Sequence, residues 1–342
     1  MSDTHHVPAP FDTGAKPAVV VTRGGIVESE HFIRHAFARA DGTIESSSGD
    51  VDGPTFMRSS AKPLITAVVV ASGAADRFGF TDQELAVAAG SHSGEPYHVA
   101  AVRSMLEKIG LTEDALACGA HPPLHEPSAK ALVAAGVEYG RIHNNCSGKH
   151  ASILALAVHR GAPVAGYLAA DHPAQREVIE GCAEMLAIAP ATMALGVDGC
   201  GIPVIGVPMR AAAICFARFG DTQRFPAAWR EPVRRVVGAM TTFPRYVAGT
   251  GRFDTDLMEA AAGALVCKGG AEGYHATGML SSTTGLAAKV ADGNHRAVGP
   301  FVVTKLSREG ALDPRQTGAL ARHAHPAIRN HAGLIVGEIS AV

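Results

Sequence analysis

Strand signals lie at the two ends of this 342-residue chain and helix signals fill the stretch between, an order that few architectures satisfy. Alternating or β-branched runs at 19–22, 26–39 and 43–47 are divided by Gly24-Gly25 and Asp41-Gly42, dipeptides suited to tight turns, so this part reads as an antiparallel meander. The pattern returns at 285–290, with Asp292-Gly293 as a hairpin turn leading to a strand at 298–304, and again at 334–339. From 61 to about 240 the signals are helical. Thr81 and Glu84 form a capping-box pair, and Val99, Val102, Leu106 and Ile109 make an apolar stripe that ends at Gly110. Asp313-Pro314 is a further helix start. The expected fold is α/β of the α+β type: a mainly antiparallel sheet shared by N- and C-terminal strands, with helices packed on it and a helix-rich middle. Residues 17–342 read as one catalytic unit, in which 17–60 and 250–342 hold the sheet and 61–249 the helices. Residues 1–16, without periodicity, read as a flexible tail.

Composition removes several classes of function. Lys and Arg number 30 against 32 Asp and Glu, a net charge of -2 that offers no basic surplus to a nucleic acid or an anionic membrane. No apolar stretch nears the roughly 18 residues of a spanning helix, and MSDTHHVPAP has no basic region followed by an apolar core. The six cysteines are scattered through a chain too long for a disulfide scaffold. These features together predict a soluble cytoplasmic protein.

Arg58-Ser-Ser-Ala-Lys62-Pro63 precedes the apolar stretch 64–71, which places Ser59 and Lys62 three residues apart in the first turn of a helix, on one face. Pro63 lacks an amide hydrogen and is comfortable only there, so the helix cannot begin much earlier. A serine hydroxyl needs a base to become a nucleophile, and a lysine serves as one if burial or neighbouring charge leaves it neutral. Ser-x-x-Lys is the signature of serine β-lactamases and penicillin-binding proteins, although four residues recur by chance. Two small-residue segments carry further candidates: Ser91-His-Ser-Gly-Glu95 follows a helix, and Lys268-Gly-Gly-Ala-Glu-Gly273 reads as a glycine-rich loop with one basic residue.

His143-Asn-Asn-Cys-Ser-Gly-Lys-His150 leads into an apolar helix, and Asp198-Gly-Cys-Gly201 sets a second cysteine between glycines. Two loop cysteines beside polar groups suit zinc, for which the residues alone nominate Cys146, Cys200, His150 and Asp198; two buried free thiols are the alternative. Cys182 and Cys215, in apolar helical surroundings, read as core.

Taken in order, these five segments resemble the rhizobial-type (class 3) L-asparaginases of the asparaginase II family, and Val247-Ala-Gly-Thr-Gly-Arg-Phe-Asp-Thr255 and Gly333-Leu-Ile-Val-Gly337 extend the resemblance over everything after the tail. It implies hydrolysis of L-asparagine to L-aspartate and ammonia by a homodimer whose fold is similar to the serine β-lactamases, penicillin-binding proteins and glutaminases. It implies two catalytic tandems, Ser59 with Lys62 and Ser91 with Lys268. Cys146, Lys149 and Cys200 look like ligands of a zinc ion that orients substrate or tunes affinity, in place of the His150 choice; no organic cofactor is implied. Asp198 is expected to support that site and the substrate. For the substrate's α-carboxylate the candidates are Arg58 first and Arg252 second, since a guanidinium fork suits a carboxylate. The rivals are a glutaminase of the same fold, a penicillin-recognising enzyme, and a non-catalytic protein that binds zinc or an amino acid.

Overall fold

The stretch after Arg58-Ser-Ser-Ala is apolar on every side, as a helix must be to lie at the centre of a protein. The computed structural model describes residues 16–342, so positions 1–15 of the expected tail lie outside the described residues. In it Lys62–Ala71 forms that central helix, buried from Lys62 through Val70, with Pro63 in its first turn. It packs against the helices Ser147–His159, Pro173–Leu186 and Ala227–Thr242. The residues before it, Arg58–Ala61, wind as a tight 3-10 turn, which puts Ser59 one turn before the helix and Lys62 at its first position.

Twelve strands among the described residues form three antiparallel sheets. They are β1 (Val19–Arg23), β2 (Ile26–His31), β3 (Ile33–Arg39), β4 (Ile44–Ser48), β5 (Pro54–Phe56), β6 (Ala194–Val197), β7 (Pro203–Pro208), β8 (Leu265–Gly270), β9 (Tyr274–Met279), β10 (Thr284–Val290), β11 (Ala327–Arg329) and β12 (Ile335–Ala341). The N- and C-terminal strands do pair, as expected, but in two sheets: β11-β12-β1-β2 and β4-β3-β10-β9-β8. The chain passes from one to the other at Phe32, where the Phe32 carbonyl accepts from Ala291 N at 2.8 Å and His31 Nδ1 meets Asp292 Oδ2 at 2.8 Å. The third sheet, β5-β7-β6, lies partly inside the stretch read as helical.

The helix Met209–Ala217 packs on β3, β9 and β10 at a distance that only glycine permits. A Cβ on Gly278 would stand 2.2 Å from the Phe216 carbonyl oxygen, and one on Gly285 would stand 2.2 Å from that of Ala213. The capping box at Thr81 and Glu84, the stop at Gly110 and the helix start at Asp313 are all present. Residues 298–304 are not a strand. They open the helix Val298–Arg308, because the buried positions Val298, Phe301, Val302 and Leu306 recur at helical spacing and Pro300 falls in the first turn. Cys182 and Cys215 are core residues, as read.

Two buried histidines make the fold sensitive to acid. His98 is satisfied only as a neutral ring, donating from Nε2 to Arg245 O at 2.8 Å and accepting from Glu95 N at Nδ1, 3.2 Å. Burial lowers its pKa to about 4, and burial together with the Lys305 ammonium does the same for His35. The unfolded chain takes up these protons near the ordinary value of 6.5, so their contribution is complete above that pH and is lost as pH falls towards 4. Between pH 7 and 5 each costs about 2 kcal/mol. The melting temperature should therefore fall over that interval, and His35→Phe should flatten the slope; identical slopes in the two proteins would mean that His35 does not titrate there.

Candidate active site

Ser59 sits on a turn whose geometry is fixed from both sides. Arg58, before it, is held at φ 51°, a left-handed conformation unusual for a residue with a side chain. Gly270, at the end of β8, lies so close beneath that a Cβ there would be 2.6 Å from the Met57 carbonyl oxygen. Ser60 Oγ donates to Lys268 O at 2.5 Å, which ties the turn to the same strand. Ser59 is half-buried and lines a cleft of about 260 Å³ together with Ser91, Asn145, Arg252, Lys268 and His295.

Ser91 reaches the cleft from the loop after the helix Asp82–Ala88. Its N–H donates to Val247 O at 2.7 Å, and a Cβ on Gly90 would stand 2.5 Å from that same oxygen. Lys62 Nζ, almost fully buried, bonds Gly90 O at 2.7 Å, Ser91 Oγ at 2.9 Å and Asn145 O at 3.2 Å. Burial lowers its pKa to about 8, with the Lys149 and Lys268 ammonium groups adding to the effect and the Cys146 sulfur opposing it. Two of its three partners are carbonyls, which only accept. When the amine gives up one proton, its two remaining hydrogens serve those carbonyls and its lone pair faces Ser91 Oγ. Lys268 Nζ donates to Gly269 O at 2.6 Å and meets Asp254 Oδ2 at 3.3 Å.

All four expected catalytic residues thus meet at one place, with different partners from those expected. Lys62 holds Ser91, not Ser59, because the loop that follows Gly90 brings Ser91 over the start of the central helix. Lys268 is paired with Asp254, not Ser91, and it stands on β8 instead of a loop; only Ala271 to Gly273 form the turn to β9. The first choice for the substrate carboxylate changes as well. Arg58 is committed to Asp198, its Nε and Nη2 at 3.0 and 2.7 Å from one carboxylate oxygen, whereas Arg252 lines the cleft and, among the described residues, its guanidinium bonds only Ser93 Oγ, at 3.4 Å.

Beneath the cleft, Cys146, Lys149 and Cys200 converge and are buried, with Lys149 Nζ 3.0 Å from Cys200 Sγ. A hydrogen bond from Cys200 and the nearby lysines pull the Cys146 thiol well below its usual range, while that bond and burial push Cys200 up. Burial works against the Lys149 charge, and the two sulfurs outweigh it. His150 points elsewhere, its Nδ1 2.7 Å from the Tyr167 hydroxyl. Asp198 serves Arg58.

The profile of the L-asparaginase II family matches residues 19–341. The chain belongs to the L-asparaginase II family. A search of curated proteins gives no match. Among solved structures, Mglu in its native form in 4.3M NaCl is 16% identical with a TM-score of 0.37, the match covering 82% of this chain and 61% of Mglu. Mglu in its tris and glutamate form is likewise 16% identical, TM-score 0.37, over 86% of this chain and 63% of the other. The chain therefore spans about three fifths of the length of Mglu.

This asparaginase-family site also contains residues that the sequence reading passed over. Asp254, Cys267 and His275 place their side-chain donor atoms within 4.8 Å of one another. The Lys268 ammonium already occupies this carboxylate, so the cluster is an anchor for a cation, not a vacant metal site. Burial opposes the Asp254 charge, and Lys268, His275 and the Gly269 N–H together hold its pKa well below the carboxylate range. Asp254 stood within the quoted 247–255 segment, but nothing in that segment points to Lys268. Asp254→Asn should leave Lys268 buried without a counter-charge, a loss of about 3–5 kcal/mol. Calorimetric unfolding of the variant checks this, and a melting temperature equal to that of the parent would show that the pair is not load-sharing in the fold.

Proposed function

We propose that the chain hydrolyses the side-chain amide of L-asparagine, with Ser59 as nucleophile. The observation that carries this reading is the contact between Lys62, a buried amine with its pKa lowered to about 8, and Ser91, at the edge of the cleft that Ser59 and Lys268 also line. Ser59 is assigned the attack because it is the more accessible serine and its hydroxyl is not engaged by Lys62, whereas Ser91 is 7% exposed and held. As Ser59 Oγ bonds to the amide carbon, its proton passes to Ser91, whose own proton goes to Lys62. The tetrahedral centre then collapses, the C–N bond breaks, and the same pair returns a proton to the nitrogen, which leaves as ammonia. Water hydrolyses the aspartyl ester in a second step by the same proton path. Lys268, clamped by Asp254, keeps positive charge at the cleft throughout, and Arg252 is the fork for the α-carboxylate.

The donor set at Cys146, Lys149 and Cys200 fits zinc: two sulfurs and an amine, buried together and already in contact. When bound, the ion supplies fixed positive charge next to the Arg58–Asp198 pair, and we assign it to substrate orientation. Elemental analysis should find about one zinc per chain, lost in Cys200→Ser. Full zinc content in that variant would place the metal elsewhere.

Ammonia release from L-asparagine and L-glutamine tests the whole reading. Asparagine should be preferred by about 10- to 200-fold, the worth of one methylene in a fitted pocket. Ser59→Ala should lower kcat by about 1,000-fold or more, and adding Lys62→Met should cost little further, since groups acting as one unit are not additive. Near-normal turnover by Ser59→Ala with loss in Ser91→Ala would transfer the attack to Ser91. Preference for glutamine would assign the glutaminase reading, and release from neither amide would leave a binding protein.

A further inference from the structure

A second pocket, of about 750 Å³, adjoins the catalytic cleft and shares Glu272 with it. One wall holds a like-charge pair. Arg34 on β3 and Lys289 on β10 are directly opposite in the antiparallel register, so their side chains leave the sheet on the same face. Like charges in that relation destabilise a sheet, and both are partly buried, which removes the water that would soften the repulsion. Among the described residues neither takes part in an ion pair; Arg34 Nε is buried without a partner, and Lys289 Nζ reaches only the carbonyl of Val290, at 2.6 Å. Burial and Arg34 lower the pKa of Lys289, and Glu272 and Asp292 offset them only in part.

Two of the carboxylates nearby have other commitments. Asp292 accepts from His31 Nδ1 at 2.8 Å and from Asn294 N at 3.0 Å, and Asp198 is taken by Arg58, whose guanidinium also faces this pocket. Glu272 lies against Gly293, where a Cβ would stand 2.5 Å from Glu272 Oε2. The opposite wall differs in kind. It presents Phe56, 42% exposed, and Leu195, 48% exposed, from β5 and β6.

We infer that this pocket binds a small organic carboxylate, its anionic end between Arg34 and Lys289 and its apolar body against Phe56 and Leu195. An anion there supplies what the sheet lacks, and the apolar wall separates such a ligand from inorganic phosphate. The inference stands apart from the hydrolytic reading, because neither Arg34 nor Lys289 belongs to that machinery.

Phenylacetate and inorganic phosphate are the probes, titrated calorimetrically into the full chain. Phenylacetate should bind and phosphate should bind at least about tenfold more weakly, while Lys289→Met and Arg34→Met should each weaken phenylacetate by about tenfold, the loss of one charged contact. Without ligand, Lys289→Met should melt at or above the parent temperature, since it removes repulsion. Its ammonia release without phenylacetate should match the parent, which keeps this test separate from that of the catalytic reading. Equal binding of phenylacetate by parent and Lys289→Met, or no binding by the parent, would overturn the site. Phosphate binding as tight as phenylacetate would overturn the organic carboxylate. A ligand-free Lys289→Met that melts well below the parent, or does not fold, would show that Lys289 is already partnered and would also overturn it.

Discussion

Three primary amines are buried in one small region, and the arrangement of the site follows from how each is accommodated. A charged lysine in a low-dielectric interior must find a counter-charge, find enough acceptors, or lose its proton. Lys149 has the first, between two sulfurs. Lys268 has it too, in Asp254, itself held by a backbone N–H. Lys62 has two carbonyls, a hydroxyl and the Cys146 sulfur nearby, which together do not offset its burial, and its pKa drops to about 8. The amine whose burial is least offset is the one able to act as a base. The charges on the other two help to keep it so, which makes the thiol pair and Asp254 parts of one electrostatic arrangement.

The scaffold makes this arrangement rigid. Lys62 begins the central helix, Lys149 lies in the first turn of a helix packed against it, and Lys268 is on the edge strand that runs beneath the Ser59 turn. Close backbone contacts at Gly90 and Gly270 set the distances among these elements, because any side chain at either position would push two of them apart.

How much of this was legible in the sequence depended on distance along the chain. Lys62 at the start of the central helix and Ser59 in the turn just before it follow from Pro63 and the apolar run, and the caps at Thr81, Gly110 and Asp313 are equally local. The partnership of Lys62 with Ser91 spans 29 residues and that of Arg58 with Asp198 spans 140, and no local rule selects them. Two misreadings were local rules applied without context. Lys268-Gly-Gly reads as a loop because glycine is rare in strands, yet these glycines end a strand where the Met57 backbone presses against it. Residues 298–304 are rich in β-branched side chains, yet their burial repeats at helical spacing. The position of a charged residue relative to its neighbours across a sheet, as with Arg34 and Lys289, is invisible until the register is known.

The pairing of β1 with β12, Val19 opposite Ala341, has a consequence for how the protein is made. β12 follows every other described strand along the chain, so β1 has one edge unsatisfied until all of them have emerged. β3, which needs β10, waits nearly as long. Neither sheet closes before those partners are made, so the helical middle is the part free to condense first. Until β10 and β12 have emerged two strand edges stay open, and it is there that a chaperone would have to act.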